Sequence, residues 1–368
     1  MTHLMRPPAR PEIETLPEYR LRHPAGACVK LNQNESPFDL PEELKREVLE
    51  ALARTPWNRY PPVRADGLGA LLADRSGVAP DQVILTNGSN EAILSLFAAF
   101  GAPGAVVLCA PGYSMAKPLA VVAGAEVREV PLRPDLTMDP EAMLQAARGA
   151  RVIFFASPNN PTGRLVPREE IAKIAARTEA LVVVDEAYWG FFPKDERVRA
   201  LAGTPAYEAY TAVGLVAEFG NLAVVRTASK ALGLAGARVG WVIARPEVVG
   251  VLRRTLAPYN LNVFAHLAAE AMARRPELVR ARIAQVVAER ERLFGELRRL
   301  GVLVYPSDAN FLLFRCPDAR SAFEALAARG ILVRDVSSYP MLEGCLRVTV
   351  GTPEENDRFL KAMGEAVG

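Results

Sequence analysis

The chain has 368 residues, 50% hydrophobic and 23% charged, with 44 basic against 42 acidic side chains and a net charge of +2. That length is suited to two domains, and the charge balance argues against nucleic acid and against an acidic membrane surface as partners. The four cysteines (Cys28, Cys109, Cys316, Cys345) form no CxxC and the three histidines have no ligand spacing, so neither a disulfide framework nor a metal centre is expected, and the simple setting is a reducing cytoplasm.

Residues 1 to about 30 are rich in Pro, Arg and Glu and read as an extended arm. Arg6 and Arg10 stand among prolines without an apolar core, so no signal peptide is read, and no apolar run is long enough to span a membrane. Leu31-Asn32-Gln33-Asn34-Glu35-Ser36-Pro37-Phe38 is polar and leads into a helix from Pro41 to about Arg54. Trp57 to Pro62 is a stiff aromatic loop carrying Tyr60. A helix is expected from Leu68 to Asp74, then a buried strand from Val83 to Thr86. Asn87-Gly88-Ser89-Asn90-Glu91 turns that strand into a helix to about Phe100. Such a turn is an anion site, because free backbone N–H groups and the helix dipole point the same way. Neither GxGxxG nor GxxxxGK[ST] occurs there, which argues against dinucleotide and P-loop chemistry.

Strands and helices go on alternating. Val106–Cys109 ends at Pro111-Gly112-Tyr113 and is followed by a helix to Ala123. Val127–Val130 is a strand and Pro140–Ala147 a helix. The strand from Arg151 to Phe155 closes in Ser157-Pro158-Asn159-Asn160-Pro161-Thr162-Gly163, a loop that two prolines stiffen around Asn160. A helix from Pro167 to Glu179 precedes the apolar strand Ala180–Val184, which ends in Asp185-Glu186-Ala187-Tyr188. Ala223–Arg226 and Arg238–Ile243 are the next strands. The alternation means an α/β fold with a mostly parallel sheet covered by helices on both faces. Ligands of such sheets bind past the C-terminal strand ends, where Gly88, Tyr113, Asn160, Asp185 and Lys230 all fall.

Lys230 follows Thr227 and Ser229 in a Gly- and Ala-rich stretch, with Arg238 eight residues on. An amine becomes nucleophilic near neutral pH when apolar surroundings or a second cation lower its pKa. Hydroxyls and a guanidinium suit a phosphate. The stretch therefore reads as a Schiff-base lysine beside a phosphate cup. Asp185 is costly to bury unpaired. Beside a pyridine ring it would keep the ring nitrogen protonated, which makes the ring an electron sink.

After about residue 256 the pattern changes to a long helix from Pro276 to Leu300. Its mixed charges, from Arg274 to Arg299, read as a solvated face. Short strands follow at Val302–Tyr305, Phe311–Phe314, Leu332–Arg334 and Leu346–Val350, with helices at Ala319–Ala328 and Pro353–Ala366. The division expected is an arm over 1–30, a large domain over 31–255 and a smaller α+β domain over 256–368.

The motifs Asp185-Glu186-Ala187-Tyr188, Ser157 to Gly163, and Ser229-Lys230 with Arg238 resemble the fold-type-I aminotransferases over nearly the whole chain. Within that family, Leu31–Phe38, Arg59-Tyr60-Pro61, Arg334-Asp335 and Gly344 to Thr352 are most similar to the histidinol-phosphate aminotransferases. The resemblance implies pyridoxal 5′-phosphate as cofactor, with a small-molecule amino donor and a 2-oxo acid acceptor. It implies that Lys230 binds the cofactor aldehyde and moves the proton at the substrate Cα. Asp185 would pair with the pyridine nitrogen, Tyr188 and Asn160 with the ring hydroxyl, and Tyr113 would stack on the ring. Gly88, Ser89, Asn90, Thr227, Ser229 and Arg238 would hold the phosphate. Tyr60 would reach the partner subunit's cofactor, making a homodimer with shared active sites. Arg347 would bind the acceptor carboxylate, and Arg334, Arg347 and Tyr19 the donor phosphate, with Asn32 and Asn310 lining the pocket.

The chain departs from the family in the 45-residue step from Asp185 to Lys230 (230 − 185). The excess falls near 196–218 and is expected to form an extra helix bearing Tyr207 and Tyr210. Two other chemistries suit the scaffold: amino transfer from aromatic amino acids, and decarboxylation of threonine phosphate. A cofactor-binding regulator would need a DNA-binding domain ahead of the fold, for which the arm is too short.

Overall fold

The computed structural model describes residues 8–18, 29–192 and 210–367. After a short strand, β1 (Val29–Lys30), the chain builds a seven-stranded sheet. Its strands are β2 (Val83–Thr86), β3 (Ala105–Ala110), β4 (Glu126–Pro131), β5 (Val152–Ala156), β6 (Leu181–Asp185), β7 (Leu222–Thr227) and β8 (Gly240–Ala244). They lie in the order β2-β8-β7-β6-β5-β3-β4. Successive side chains point to opposite faces, so Val107, Ile153, Val182 and Val224 pack one core while Val106, Val152, Val183 and Val225 pack another. Each such fully buried side chain contributes roughly 1.5–3 kcal/mol over exposure. Apolar strands buried on both sides are what a helix-covered sheet requires.

One strand departs from the parallel pattern. β8 runs antiparallel to both β2 and β7. The link from Thr227 to Gly240 holds only a 3-10 turn, Ala235–Ala237, and a parallel return needs a longer crossover. The lysine loop is therefore a tight connection at the rim, and Gly240 enters β8 beside the end of β2.

The later strands are β9 (Leu303–Val304), β10 (Phe311–Arg315), β11 (Ile331–Leu332), β12 (Arg334–Asp335) and β13 (Cys345–Thr349). A four-stranded antiparallel sheet takes the order β12-β13-β10-β9. The single strand expected over Leu332–Arg334 is two strands. At buried Val333 the chain changes partners, so β11 pairs in parallel with β1 while β12 joins β13. The segment before Asn32 is thus tied to the later part of the chain through β11.

Helix ends follow side-chain chemistry. Asp139 caps Pro140–Ala146 by accepting from Glu141 and Ala142 N–H (3.0 and 3.2 Å). Asn262 caps Val263–Ala273 and Asp318 caps Ala319–Ala328. The helix expected to reach Glu179 stops at Ala176, and the one expected to reach Phe100 is α-helical over Ser89–Leu96 and then widens into a π turn, Phe97–Gly101. The arm is not wholly extended: Pro11–Glu14 makes one helical turn, and Arg10 donates to the Val122 carbonyl at 2.7 Å. Of the extra segment near 196–218, the described part from 210 holds only a 3-10 turn, Val213–Leu215, while Tyr207 lies outside the described residues. Among the described residues no helix is long and apolar enough to cross a membrane.

Candidate active site

A cavity of about 550 Å³ opens at the C-terminal rim of the large sheet, closed above by Asn32–Glu35 and by Arg334, Tyr339 and Arg347. Its floor gathers residues from the ends of separate strands: Ala156 from β5, Asp185 from β6, Thr227 from β7. Ser89, Asn90, Tyr113, Asn160, Tyr188, Ser229, Lys230 and Arg238 complete the wall. The rim expected from strand order is therefore one site.

One end of the cavity is built for an anion. Gly88 has φ +78°, a conformation open to glycine at little cost, and starts the helix Ser89–Leu96. First-turn N–H groups have no partner within a helix. Arg238, itself at φ +58°, lies so close over Gly88 that a Cβ there would be 2.6 Å from its Nη2. Thr227 Oγ1 donates to the Val239 carbonyl or to Ser229 Oγ (3.0 and 2.9 Å) and accepts from Ser229 N–H at 3.1 Å. Arg238 Nη1 reaches Ser229 Oγ at 3.5 Å. N–H groups, hydroxyls and a guanidinium thus converge on one place.

The floor holds the acid and the amine. Asp185 is buried, accepts from Ala187 N–H at 3.0 Å, and has its carboxyl pushed up to about 7, chiefly by burial and further by Glu186. Lys230 donates to the Gln33 carbonyl at 2.9 Å. Burial first, then the positive charges of Arg347 and Arg238, lower its amine to about 7. Each group is thereby close to losing its charge at neutral pH.

The roof is polar and tightly connected. Arg347 donates to Asn160 Oδ1 (2.6 Å) and to the Asn32 carbonyl (2.8 Å), and its guanidinium lies 5.3 Å from the Phe311 ring centroid. Arg334 faces Arg347 directly across the β12–β13 pairing. Asn34 Nδ2 donates to the Tyr188 hydroxyl at 2.9 Å, and Tyr113 donates to Asn90 Oδ1 at 2.7 Å.

Two residues named from the sequence stand elsewhere. Asn310 does not line the cavity. It is fully buried one layer back, where Nδ2 donates to the Asn34 carbonyl at 3.1 Å. Tyr60 is exposed, outside its own chain's cavity, and stacks on Tyr259 at 4.6 Å. Tyr19 lies outside the described residues. Sequence reasoning missed the contributions of Gln33, Asn34, Glu35 and Tyr339. A polar run between Leu31 and Pro37 marked the first three, but without their partners it gave them no roles. It also missed the support beneath the floor. Buried Glu186 pairs with buried Arg226 at 2.8 Å and accepts from Thr211 Oγ1 and Ala212 N–H.

These residues fit pyridoxal 5′-phosphate. A cradle that a Cβ at Gly88 would fill offers donors for the phosphate, a buried carboxyl raised toward 7 suits a protonated pyridine nitrogen, and an amine lowered toward 7 suits the aldehyde. The model of the family "Aminotransferase class I and II" matches residues 27–363. A histidinol-phosphate aminotransferase of Chlorobium limicola is 38% identical over 358 residues, 96% of each chain. One of Thermococcus gammatolerans is 41% identical over 340 residues, 92% of each chain. The histidinol-phosphate aminotransferase of Sinorhizobium meliloti, solved in complex with pyridoxal-5′-phosphate, shares the fold with a TM-score of 0.85 at 24% identity, covering 97% of this chain and 96% of that one.

Proposed function

The chain belongs to the class I and II aminotransferases, and on that premise we propose that it moves an amino group reversibly between L-histidinol phosphate and 2-oxoglutarate, a step of histidine biosynthesis. It is a pyridoxal-phosphate-dependent transferase with a small-molecule donor and acceptor. The bound cofactor supplies an electron sink for negative charge at the substrate Cα.

The chain's own residues do the rest. Ser89, Asn90, Thr227, Ser229 and Arg238, set around Gly88, would hold the cofactor phosphate. Asp185 would share a proton with the ring nitrogen; Tyr188 and Asn160 would bond the ring hydroxyl, and Tyr113 would cover the ring. Lys230, its amine near neutrality, would take a proton from Cα and return it. A base whose pKa lies near the working pH does this best. Arg347 would bind the carboxylate of the 2-oxo acid. We further propose a cytoplasmic homodimer in which Tyr60 reaches the partner subunit's cofactor, with Tyr19 of the arm on the donor phosphate, and the division into an arm (1–30), a large domain (31–255) and a small domain (256–368).

The observation that carries the substrate reading is the pair Arg334 and Arg347, opposite one another on β12 and β13 and both on the cavity wall. A phosphate ester dianion carries charge and acceptor oxygens enough for two guanidinium groups. An aromatic amino acid carries a single carboxylate, which one arginine serves. The test is a half-reaction without acceptor, following the bleaching of the bound cofactor's visible band with histidinol phosphate, phenylalanine and O-phosphothreonine in turn. Rapid bleaching by histidinol phosphate is expected. Arg334→Ala should weaken that donor about 30-fold, the equivalent of one charged hydrogen bond at about 2 kcal/mol, and leave 2-oxoglutarate little changed. Equal rates with phenylalanine, or carbon dioxide from phosphothreonine with the band retained, would move the assignment to one of the other two chemistries.

A further inference from the structure

We infer that Asn34 is a positioning residue that fixes the direction of the Tyr188 phenolic proton. The inference rests on the proposed placement of Tyr188 at the cofactor ring hydroxyl and adds a residue that has no role in the motifs of the sequence.

Asn34 is buried at 1% exposure, and its backbone is left-handed, φ +54°. Asparagine tolerates that region better than most residues, yet at some cost. Every polar group it has is spent. Its N–H donates to Thr349 Oγ1 at 2.9 Å, and its carbonyl accepts from Asn310 Nδ2 at 3.1 Å. Thr349 Oγ1 donates in turn to Asn34 Oδ1 at 3.3 Å. With Oδ1 claimed by Thr349, the amide turns its nitrogen to Tyr188, and Nδ2 donates to the hydroxyl oxygen at 2.9 Å.

That polarity has a consequence. A phenol has one proton. An oxygen at this position would accept the proton, whereas an N–H occupies an oxygen lone pair and leaves the proton for another acceptor. The Tyr188 ring cannot swing to choose, since it is buried and held edge-on by Phe311 at 5.1 Å. Asn34 therefore directs the proton away from itself, and Tyr188 lines the cavity in which the proposed ring hydroxyl would accept it. Thr349 closes β13 and Asn310 precedes β10, so the later sheet, through Asn34, sets a hydroxyl belonging to the large sheet.

Two substitutions separate this role from support alone. Asn34→Asp keeps size and left-handed tolerance but presents only oxygens to Tyr188. Asn34→Gly deletes the amide without backbone strain. Neither touches Asp185, Lys230, Arg238, Arg334, Arg347 or Glu35, the charged groups on the cavity wall. The readout, taken without substrate, is the pH midpoint at which the bound cofactor changes colour. In Asn34→Asp the ring oxygen loses its donor and keeps more negative charge, which holds the neighbouring proton more tightly, so the midpoint should rise by about 1 unit. Asn34→Gly should raise it less, and should add nothing in a Tyr188→Phe background, because coupled residues are not additive. A midpoint at the parent value in both variants overturns the inference, as does an equal shift by Asn34→Gly with either tyrosine or phenylalanine at 188. Should Asn34→Asp fail to fold, the Asn34→Gly comparison in the two backgrounds decides alone. A parent protein that takes up no cofactor overturns the functional reading as well, whereas a coloured protein with an unmoved midpoint overturns only this one.

Discussion

At Asp185 and Lys230, burial works against charge in both directions at once. The aspartate's folded pKa lies above its ordinary value, about 7 against 3.8, so between those values the folded chain holds a proton that the unfolded chain has released. Stability drawn from this group falls as pH rises through that window. The lysine's folded pKa lies below its ordinary value, about 7 against 10.5. Here the unfolded chain holds the extra proton, and stability rises as pH climbs from about 7 to 10.5. The two windows meet near neutrality, where both penalties are in force. The cofactor-free protein should therefore gain more melting temperature from added pyridoxal phosphate at pH 7 than at pH 5 or pH 9, as differential scanning fluorimetry would show. A gain that is flat across pH would mean the two groups are not desolvated as the geometry requires. Lys230 and Asp185 were legible in the sequence because a single residue type at a strand end can do each task. The roof was not. Asn34, Gln33 and Asn310 act through partners more than 150 positions away, and no local spacing reports such a pairing.

Among elements, the pairing of β2 with β8 matters most to the phosphate end. Thr86 pairs with Gly240, and a Cβ on Gly240 would lie 2.5 Å from the Gly88 carbonyl carbon and 2.7 Å from the Ser89 nitrogen. These are backbone atoms that cannot swing aside, so a methyl there must push β8 away from the turn that opens the helix. Gly240→Ala should cost about 1–3 kcal/mol by overpacking. It should also weaken pyridoxal phosphate binding in an equilibrium titration of the cofactor-free protein, because Ser89 N–H is displaced from the cradle. A variant with lower stability but unchanged cofactor affinity would separate the turn from the anion site. Strands of the large sheet were readable because apolar runs closed by Gly, Pro or Asp mark their ends. The antiparallel course of β8 was not, since direction depends on whether the intervening chain makes a crossover helix. The break at Val333 was hidden for a related reason: β11 and β12 are separated by that single residue and differ in the partner that each finds. Helices Pro246–Thr255 and Val263–Ala273 are absent from the expected elements, although Pro246 and the Asn262 cap signal their starts.

On the scale of the whole molecule, the cavity is walled by two sheets of one chain, while one aromatic residue expected at the site stands well outside it. Trp57, Tyr60 and Val63 lie on one loop and are 78%, 81% and 55% exposed. Large apolar side chains grouped on a surface mark a contact with another chain more often than a solvated face. In a two-fold dimer the same patch meets its counterpart, and a residue remote from its own site can complete its partner's. Mixing two defective subunits tests this. Lys230→Ala lacks the reactive amine but carries Tyr60. Tyr60→Ala keeps the amine but lacks the tyrosine, and should lose activity at limiting cofactor. After co-refolding equal amounts, half of the dimers are hybrids, and each hybrid holds one site with both Lys230 and Tyr60 intact. Activity should return to about one quarter of the parent value by this symmetry argument. A mixture no more active than the sum of its separate parts would place Tyr60 outside the partner's site. Sedimentation of the parent protein at the 39.9 kDa of a single chain would rule out the shared site altogether.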